Sequence, residues 1–182
     1  MKITETGIRD LLIIEPKVFE DTRGYFFESY NSKTMAQSNI NCNFVQDNQA
    51  QSLYGVIRGL HYQKEPFAQT KLIRVVEGAI LDVAVDLRKN SATYGKTFSI
   101  ELTSKNFRQL LIPKGFAHGY SVLSDICTVQ YKCDNYYNPP SEAGINVFDP
   151  QLNIDWKIPK EKATISPKDR NWQMFDRSEH GF

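Results

Sequence analysis

The sequence predicts an all-β fold, and three features support that prediction. Short runs rich in β-branched and aromatic residues recur along the chain, turn residues separate them at close intervals, and little of the chain has helical periodicity. This combination is typical of an antiparallel sandwich or barrel. For a chain of 182 residues we predict a jelly-roll of antiparallel strands with a few short helices, forming a single domain over residues 1–182.

The predicted elements follow one another without an internal repeat or a linker. The turn Asp21–Gly24 joins the first two strands, and Asn31–Ser38 is a predicted short helix with Ser32 as its N-cap. Beyond Pro139 and Pro140 the chain is predicted to be irregular, with a short helix or two. The predicted strands are, in chain order, Leu11–Ile14, Tyr25–Tyr30, Phe44–Ala50, Gly55–Gln63, Lys71–Glu77, Ala79–Leu87, Lys96–Thr103, Gln109–Ile112, His118–Leu123 and Ile126–Tyr137.

Residues 79–87 show the clearest alternation of apolar and other side chains. The residues that share one apolar face are Ala79, Leu81, Val83, Val85 and Leu87. Asp82 and Asp86 lie on the opposite face. The pattern predicts a strand that buries one face.

The composition disfavours several classes of partner. Lysine and arginine total 22 against 21 aspartates and glutamates, so a net charge of only +1 argues against nucleic acid as a general partner. The three cysteines form no Cys-x-x-Cys pair, which fits a reducing compartment better than a disulfide scaffold. Without a signal peptide or an apolar run long enough to span a bilayer, we predict a cytoplasmic protein with no membrane partner.

The candidate chemistry lies in the strand Gly55–Gln63, which carries Arg58 and His61. A rigid strand holds an imidazole in place, as positioned proton transfer requires. Strict alternation would put Arg58 and His61 on opposite faces of the strand, so they share a pocket only if it bulges. Gly59 between them is where a bulge forms most easily, and we predict one there. The alternative is that His61 is a hydrogen-bonded structural residue.

The other histidines are less informative. His118 follows a glycine-flanked turn, which either delivers its side chain to the mouth of a barrel or is purely structural. His180 lies in the tail and has no predicted role. A cupin-like jelly roll with histidines raises the alternative of a metal site, which usually needs two histidines two residues apart on one strand. Here Tyr62 and Gln63 follow His61, so the second ligand is missing and we predict no metal.

Two further side chains have both a structural and a chemical interpretation. Tyr131 lies on a mostly apolar strand face, where it is either a satisfied core residue or a desolvated phenol that offers a proton. Asp169 belongs to a charged turn after a long irregular stretch. It is either solvated or folds back over the barrel, where it would orient an imidazole and stabilise its protonated form. The residues alone leave both alternatives open.

Short motifs occur in a fixed order between about residues 8 and 170. They are Asp21-Thr22-Arg23-Gly24, Phe27-Glu28-Ser29, Phe44-Val45-Gln46-Asp47-Asn48, Arg58-Gly59-Leu60-His61-Tyr62-Gln63, Lys71-Leu72, Asp82-Val83-Ala84-Val85-Asp86-Leu87-Arg88, Ile112-Pro113, Gly115-Phe116-Ala117-His118-Gly119, Tyr131-Lys132, Asn135-Tyr136-Tyr137 and Ser166 with Lys168-Asp169. Each motif is weak alone, but the ordered set is specific. It resembles the dTDP-4-dehydrorhamnose 3,5-epimerases of nucleotide-sugar biosynthesis.

The resemblance implies a homodimeric jelly roll without cofactor or metal that acts on dTDP-4-dehydro-6-deoxyglucose. His61 would match the general base and Asp169 the carboxylate paired with it. Tyr131 would match the general acid, and Lys71 the cation near the sugar ketone. The positions that would match nucleotide-sugar contacts are Arg23, Glu28, Gln46, Asn48, Arg58, His118, Glu142 and Lys168, of which the first two are expected to reach a neighbouring subunit.

The implied reaction is epimerisation at both C3 and C5. Both hydrogens flank the C4 ketone, so one base can remove either, and a neutral imidazole with an ordinary pKa of about 6.5 suits that task. The alternatives are a single-centre 3-epimerase of a related deoxysugar nucleotide and a non-catalytic jelly roll that binds a sugar nucleotide. Tyr136 or Tyr137 is expected to stack on the thymine.

Overall fold

The computed structural model describes residues 1–175 and residue 182, so His180 lies outside the described residues. The strands are β1 (Lys2–Glu5), β2 (Leu12–Glu15), β3 (Phe19–Asp21), β4 (Gly24–Phe26), β5 (Gln46–Leu53), β6 (Val56–Gln63), β7 (Lys71–Glu77), β8 (Ala79–Asp86), β9 (Thr97–Thr103), β10 (Gln109–Ile112), β11 (Phe116–Val122), β12 (Ile126–Cys133), β13 (Glu142–Gly144) and β14 (Thr164–Ile165). The helices are α1 (Ser32–Gln37) and α2 (Pro167–Arg170), with 3-10 turns at Pro139–Ser141 and Lys160–Lys162.

The strands form two facing sheets and a separate hairpin. The first sheet has the order β1-β2-β10-β7-β12-β5, and the second has the order β13-β6-β11-β8-β9, with β14 paired to β6. A core cluster between them combines Ile73 and Leu110 of the first sheet with Phe116 and Val122 of the second. All the pairings are antiparallel except that of β14 with β6. The predicted jelly-roll sandwich is therefore confirmed.

Strand β8 is buried on both of its faces. Leu81 and Val83 pack outward into a second cluster, while Ile80 and Ala84 join the core between the sheets. The predicted apolar face is confirmed. The opposite face is not surface, because Asp82 and Asp86 are both fully buried.

Asp86 is buried among polar partners. Its carboxylate accepts hydrogen bonds from Arg88 Nε at 2.9 Å and from the Ser91 and Thr93 hydroxyls at 2.7 Å each. Burial acts to raise the pKa of Asp86, but these hydrogen bonds lower it to about 2. Asp86 is therefore an ionised carboxylate, and these hydrogen-bond donors all lie in the turn that follows β8.

The turn and the helix predicted near the N-terminus are both present, but the prediction that the turn joins Leu11–Ile14 to Tyr25–Tyr30 was wrong, because it joins β3 to β4 and β4 ends at Phe26. Asp21 pairs with Gly24 across the β3–β4 turn, which confirms the predicted turn. The helix α1 has Asn31 as its N-cap, because the Asn31 side chain accepts from the Lys33 and Thr34 amides at 3.0 and 3.2 Å. The prediction of Ser32 as N-cap was wrong by one residue, since Ser32 is already helical.

The region after residue 139 is more ordered than its composition indicated. Strand β13 extends the second sheet at β6, and β14 adds to β6 in parallel. Ile145, Val147, Trp156 and Ile165 pack over the outer face of β8 in the second cluster. This cover explains why β8 has no solvent-exposed face. In residues 1–175 no helix is long and apolar enough to cross a membrane.

Candidate active site

The strand β6 bulges at Gly59, as predicted. His118 of β11 is opposite His61, but Tyr120 is opposite Arg58, so two steps on β11 match three on β6. Since His118 and Tyr120 share a face, their partners Arg58 and His61 do so too. The bulge thus reverses the alternation that would have separated them.

Only glycine fits at this position of the bulge. Gly59 has a φ of +134°, a conformation that L side chains rarely adopt. A Cβ atom there would lie 2.5 Å from Gly119 Cα and 3.0 Å from the His118 carbonyl oxygen. The close approach of β6 and β11 therefore requires glycine.

The predicted base is paired with a buried carboxylate. His61 Nε2 lies 2.6 Å from Asp169 Oδ1, and the Gly59 amide donates to Asp169 Oδ2 at 3.4 Å. Burial acts to raise the pKa of Asp169, but the His61 hydrogen bond and the other contacts keep it below its ordinary value. An ionised carboxylate only accepts, so Nε2 carries the hydrogen, and in the neutral imidazole Nδ1 then has a free lone pair.

The predicted acid and cation project from the opposite sheet. On β12, Tyr131 is opposite Asn48 of β5 and Ile73 of β7, while Cys133 is opposite Gln46 and Lys71. Paired residues share a face, so these side chains point the same way, toward β6. A cavity of about 310 Å³ is lined by Gln46, Asn48, His61, Tyr62, Gln63, Gln69, Lys71, Tyr131, Cys133, Tyr137 and Glu142. His61 therefore faces Tyr131 and Lys71 across one cavity.

The environment of the cavity affects both groups from the first sheet. Burial raises the pKa of the Tyr131 phenol, so it is protonated at neutral pH and able to donate. Burial also lowers the pKa of the Lys71 ammonium, while Cys133 and the carboxylates of Asp82 and Glu142 act in the opposite direction. Burial therefore favours the neutral amine of Lys71, whereas the neighbouring carboxylates favour its charged form.

Charged side chains cluster where β13 meets the cavity. Glu142 accepts hydrogen bonds from both Lys168 Nζ and the Tyr137 hydroxyl. Burial acts to raise the pKa of Glu142, but these two partners lower it overall. Gln63 fixes the nearby loop, because its side chain donates to the Tyr136 carbonyl oxygen at 3.2 Å. Of the predicted contact residues, Gln46, Asn48 and Glu142 line the cavity, and Lys168 adjoins it through Glu142.

Arg58 and His118 lie on the same face as His61 but already have protein partners. Arg58 Nε donates to Ser52 Oγ at 3.0 Å, and its charge also acts to lower the pKa of Tyr131. His118 Nε2 lies 2.6 Å from Asp82 Oδ1, with both residues buried. Neither belongs to the cavity lining. Their predicted role in substrate binding stays a prediction.

Arg23 and Glu28 lie away from this cavity. Arg23 is on the β3–β4 hairpin, where it pairs with Asp21. Glu28 accepts from Asn31 Nδ2 at 2.8 Å and lines a separate cavity near β2 and α1. Within this single chain neither residue is brought to His61.

Several neighbours of the site were not predicted from the sequence. The sequence predicts only the strand face of Asp82, yet Asp82 is fully buried and its Oδ1 lies 2.6 Å from His118 Nε2. The sequence predicts no role for Trp172, yet its ring centroid lies 6.4 Å from that of His61. No periodicity in the tail would have indicated this contact. In the described part of the chain, no group of three or more His, Cys, Asp and Glu side chains is arranged to hold a metal ion.

Comparison with known proteins gives one consistent result. The family model for dTDP-4-dehydrorhamnose 3,5-epimerase matches residues 5–177. The chain is 49% identical over 176 residues to the enzyme of that name from Shigella flexneri, which covers 96% of each sequence. It superposes on the crystal structure of the Elizabethkingia anophelis enzyme of the same name with a TM-score of 0.92, at 50% identity and 96% coverage of both chains.

A second crystal structure contains a ligand. The dTDP-6-deoxy-D-glucose-3,5-epimerase of Legionella pneumophila, in complex with dTDP-4-keto-L-rhamnose, matches with a TM-score of 0.91 and 46% identity, covering 95% of this chain and 92% of that one. The family model and both structures span almost the whole chain rather than one motif. The jelly roll with its opposed imidazole and phenol therefore belongs to the dTDP-4-dehydrorhamnose 3,5-epimerase family.

Proposed function

We propose that this protein epimerises C3 and C5 of dTDP-4-dehydro-6-deoxy-D-glucose to give dTDP-4-dehydro-L-rhamnose. The observation that carries the proposal is the cavity in which His61 on one sheet faces Tyr131 and Lys71 on the other. Inversion requires that a proton leave one face of a carbon and return to the other. A base and an acid on opposite walls meet that requirement.

The roles follow from the protonation states. His61 Nδ1 takes the proton from C3 or C5, and the C–H electron pair becomes the double bond of an enolate. Lys71 stabilises the charge on the former ketone oxygen, an electrostatic contribution often larger than that of proton transfer. Tyr131 then donates its proton to the same carbon from the opposite face. Asp169 holds the imidazole in the tautomer that leaves Nδ1 free.

The remaining predicted residues are proposed to hold the nucleotide. Arg58 and Lys168 suit a diphosphate, because a guanidinium pairs bidentately and an ammonium acts as a point charge. Gln46, Asn48, His118 and Glu142 are proposed as polar contacts of the nucleotide sugar. Tyr136 and Tyr137 are both more than half exposed and could each stack on the thymine.

We also propose that the enzyme is a cytoplasmic homodimer formed through the β3–β4 hairpin. Phe19, Tyr25 and Phe26 are each more than half exposed there, which is unusual for aromatic residues and favours a covered surface. In such a dimer Arg23 and Glu28 would serve the partner's cavity. The three free thiols support a reducing compartment.

A mixing experiment tests the shared site. Arg23→Ala and His61→Ala variants, each inactive alone, are unfolded together and refolded so that subunits exchange. If Arg23 serves the partner's cavity, mixed dimers contain one intact site and activity returns. Light scattering gives the mass in the same samples, and a monomer, or a dimer without recovery, would contradict the shared site.

The reaction itself is tested by NMR of the 4-keto sugar nucleotide in deuterated water. The wild-type protein is expected to place deuterium at both C3 and C5 as the L-rhamno product forms, and His61→Ala is expected to abolish exchange while remaining folded. Deuterium at C3 alone would indicate a single-centre 3-epimerase. Tight binding without any exchange would indicate a binding protein and refute catalysis.

A further inference from the structure

The tail residue Trp172 occupies a defined place beside the imidazole of His61. The two rings meet edge to face, with centroids 6.4 Å apart and an interplanar angle of 71°. Lys168 Nζ lies over the indole at 5.8 Å from its centroid, a cation–π distance. Trp172 thus contacts both the proposed base and a cation proposed to bind the substrate.

Gly144 explains why the indole fits there. Gly144 is directly opposite His61 in the β13–β6 pairing, so a side chain at 144 would project to the same face as the imidazole. A Cβ atom at this position would lie 2.5 Å from Trp172 Nε1 and Cε2. The indole therefore fills the space that a side chain of residue 144 would occupy.

That space lies at the edge of the second sheet. In the order β13-β6-β11-β8-β9, His61 has His118 of β11 on one side and the edge strand β13 on the other. Because β13 has no side chain at Gly144, the edge side of the imidazole would be open to water without Trp172. The indole covers the side of the imidazole that β13 leaves uncovered.

The backbone around Trp172 is fixed to the body of the domain. The Asn146 amide donates to the Gln173 carbonyl oxygen at 2.9 Å, and Asn146 Nδ2 donates to the Arg170 carbonyl oxygen at 3.2 Å. Two residues further on, Phe175 is buried in the second cluster. These contacts hold the segment in place on both sides of Trp172.

We propose that Trp172 is a positioning residue that covers the side of His61 facing the edge strand β13. In this position the indole prevents the protonated base from exchanging its proton with water. This inference rests on the proposed epimerase function. After abstraction the substrate proton is on His61 Nδ1, and the enolate has two fates. Tyr131 can protonate the opposite face, which inverts the carbon, or His61 can return its proton to the original face. Exchange on Nδ1 before that return would place solvent deuterium in unconverted substrate.

The test measures that partition at low conversion in deuterated water. Its readout is deuterium in recovered substrate per molecule of inverted product, a ratio that does not depend on how much enzyme is folded. Trp172→Ala is expected to raise the ratio several-fold over wild type. Gly144→Ala is expected to raise it too, because its methyl group displaces the indole in a strand whose backbone accepts alanine.

Two further variants control the interpretation. Met174→Ala changes an exposed residue of the same segment and is expected to leave the ratio unchanged. In the Trp172→Ala background, Gly144→Ala is expected to have no additional effect, since the two changes act through one contact. If Trp172→Ala does not fold, the deuterium ratios of Gly144→Ala and Trp172→Phe still test whether the indole shields His61.

The outcomes separate this inference from the proposed function. Ratios equal to wild type in the folded Trp172 and Gly144 variants would overturn the shielding role, even if their overall rates fell. Such a result would leave the epimerase assignment intact. Wild-type protein that yields neither product nor deuterium exchange would instead overturn the epimerase function.

Discussion

Replacing Gly59 with alanine tests whether the bulge in β6 is built on the absence of a side chain. The φ of +134° costs an alanine about 1–3 kcal/mol in backbone strain. The new Cβ would lie 2.5 Å from Gly119 Cα, which is backbone and cannot rotate away, and overpacking of this kind typically costs a further ~1–3 kcal/mol. We therefore expect Gly59→Ala to lose about 2–6 kcal/mol of unfolding free energy, a large share of the ~5–15 kcal/mol typical of a domain.

Gly24→Ala is the matched control for this measurement. Gly24 has a similar φ of +123°, but no atom lies within 4 Å of its would-be Cβ. It should therefore incur the backbone strain without the clash. Urea unfolding of the two variants, with unchanged m-values, gives the difference directly. Equal stability losses would refute the argument that the close approach of β6 and β11 requires glycine at position 59.

Three further predictions concern the site and the pH dependence of the protein's stability. Asp169→Asn is expected to lower kcat/KM by about 10²–10⁴-fold, since an amide neither stabilises an imidazolium nor fixes its tautomer; unchanged steady-state kinetics would contradict this. Tyr131→Phe is expected to keep deuterium exchange into recovered substrate while losing inverted product, and retained inversion on NMR would exclude Tyr131 as the acid. The lowered pKa of Asp86, about 2, contributes stability that is present above its ordinary value and lost as pH falls through about 2. On acidification the wild-type protein should lose about 2 kcal/mol of unfolding free energy from this group, and Asp86→Asn should not show that loss. The Arg88 partner stays charged throughout.

The sequence was sufficient to predict the parts of the fold in which local pattern and tertiary structure agree. Lys71–Glu77 and Gln109–Ile112 have the predicted bounds, because turn residues mark both ends of apolar runs. The Gly59 bulge was also predictable, since a base and a guanidinium three residues apart share a strand face only through an extra residue. In both cases the deciding information lies within a few neighbouring positions.

The elements that could not be predicted depend on contacts between distant segments. The side-chain face of β8 that carries Asp82 looks solvent-exposed in sequence, but it is buried against the first sheet, and there the Asp82 carboxylate lies 2.6 Å from His118 Nε2 on the neighbouring strand β11. Strands β13 and β14 are too short to have a pattern of their own and are defined by pairing with β6. Trp172 likewise gains a position only when β13 presents a glycine beneath it.

The arrangement of the two sheets accounts for how much of the site a sequence can reveal. The second sheet carries the proposed base, and the first sheet carries the proposed acid and cation. Within the first sheet, the pairing register of β7 with β12 places Lys71 and Tyr131 on the same face. Register follows from local alternation, so these groups are accessible to pattern reasoning. The residues that cover His61 are not fixed by register in this way, because they belong to whichever segments pack over the edge of the second sheet. An edge can be covered in many ways without altering the strands, so the surroundings of the base, including Trp172, are free to differ between proteins that share the same opposed acid and base. We therefore expect differences in proton exchange between such enzymes to follow the residue over the β13 edge rather than the catalytic groups themselves.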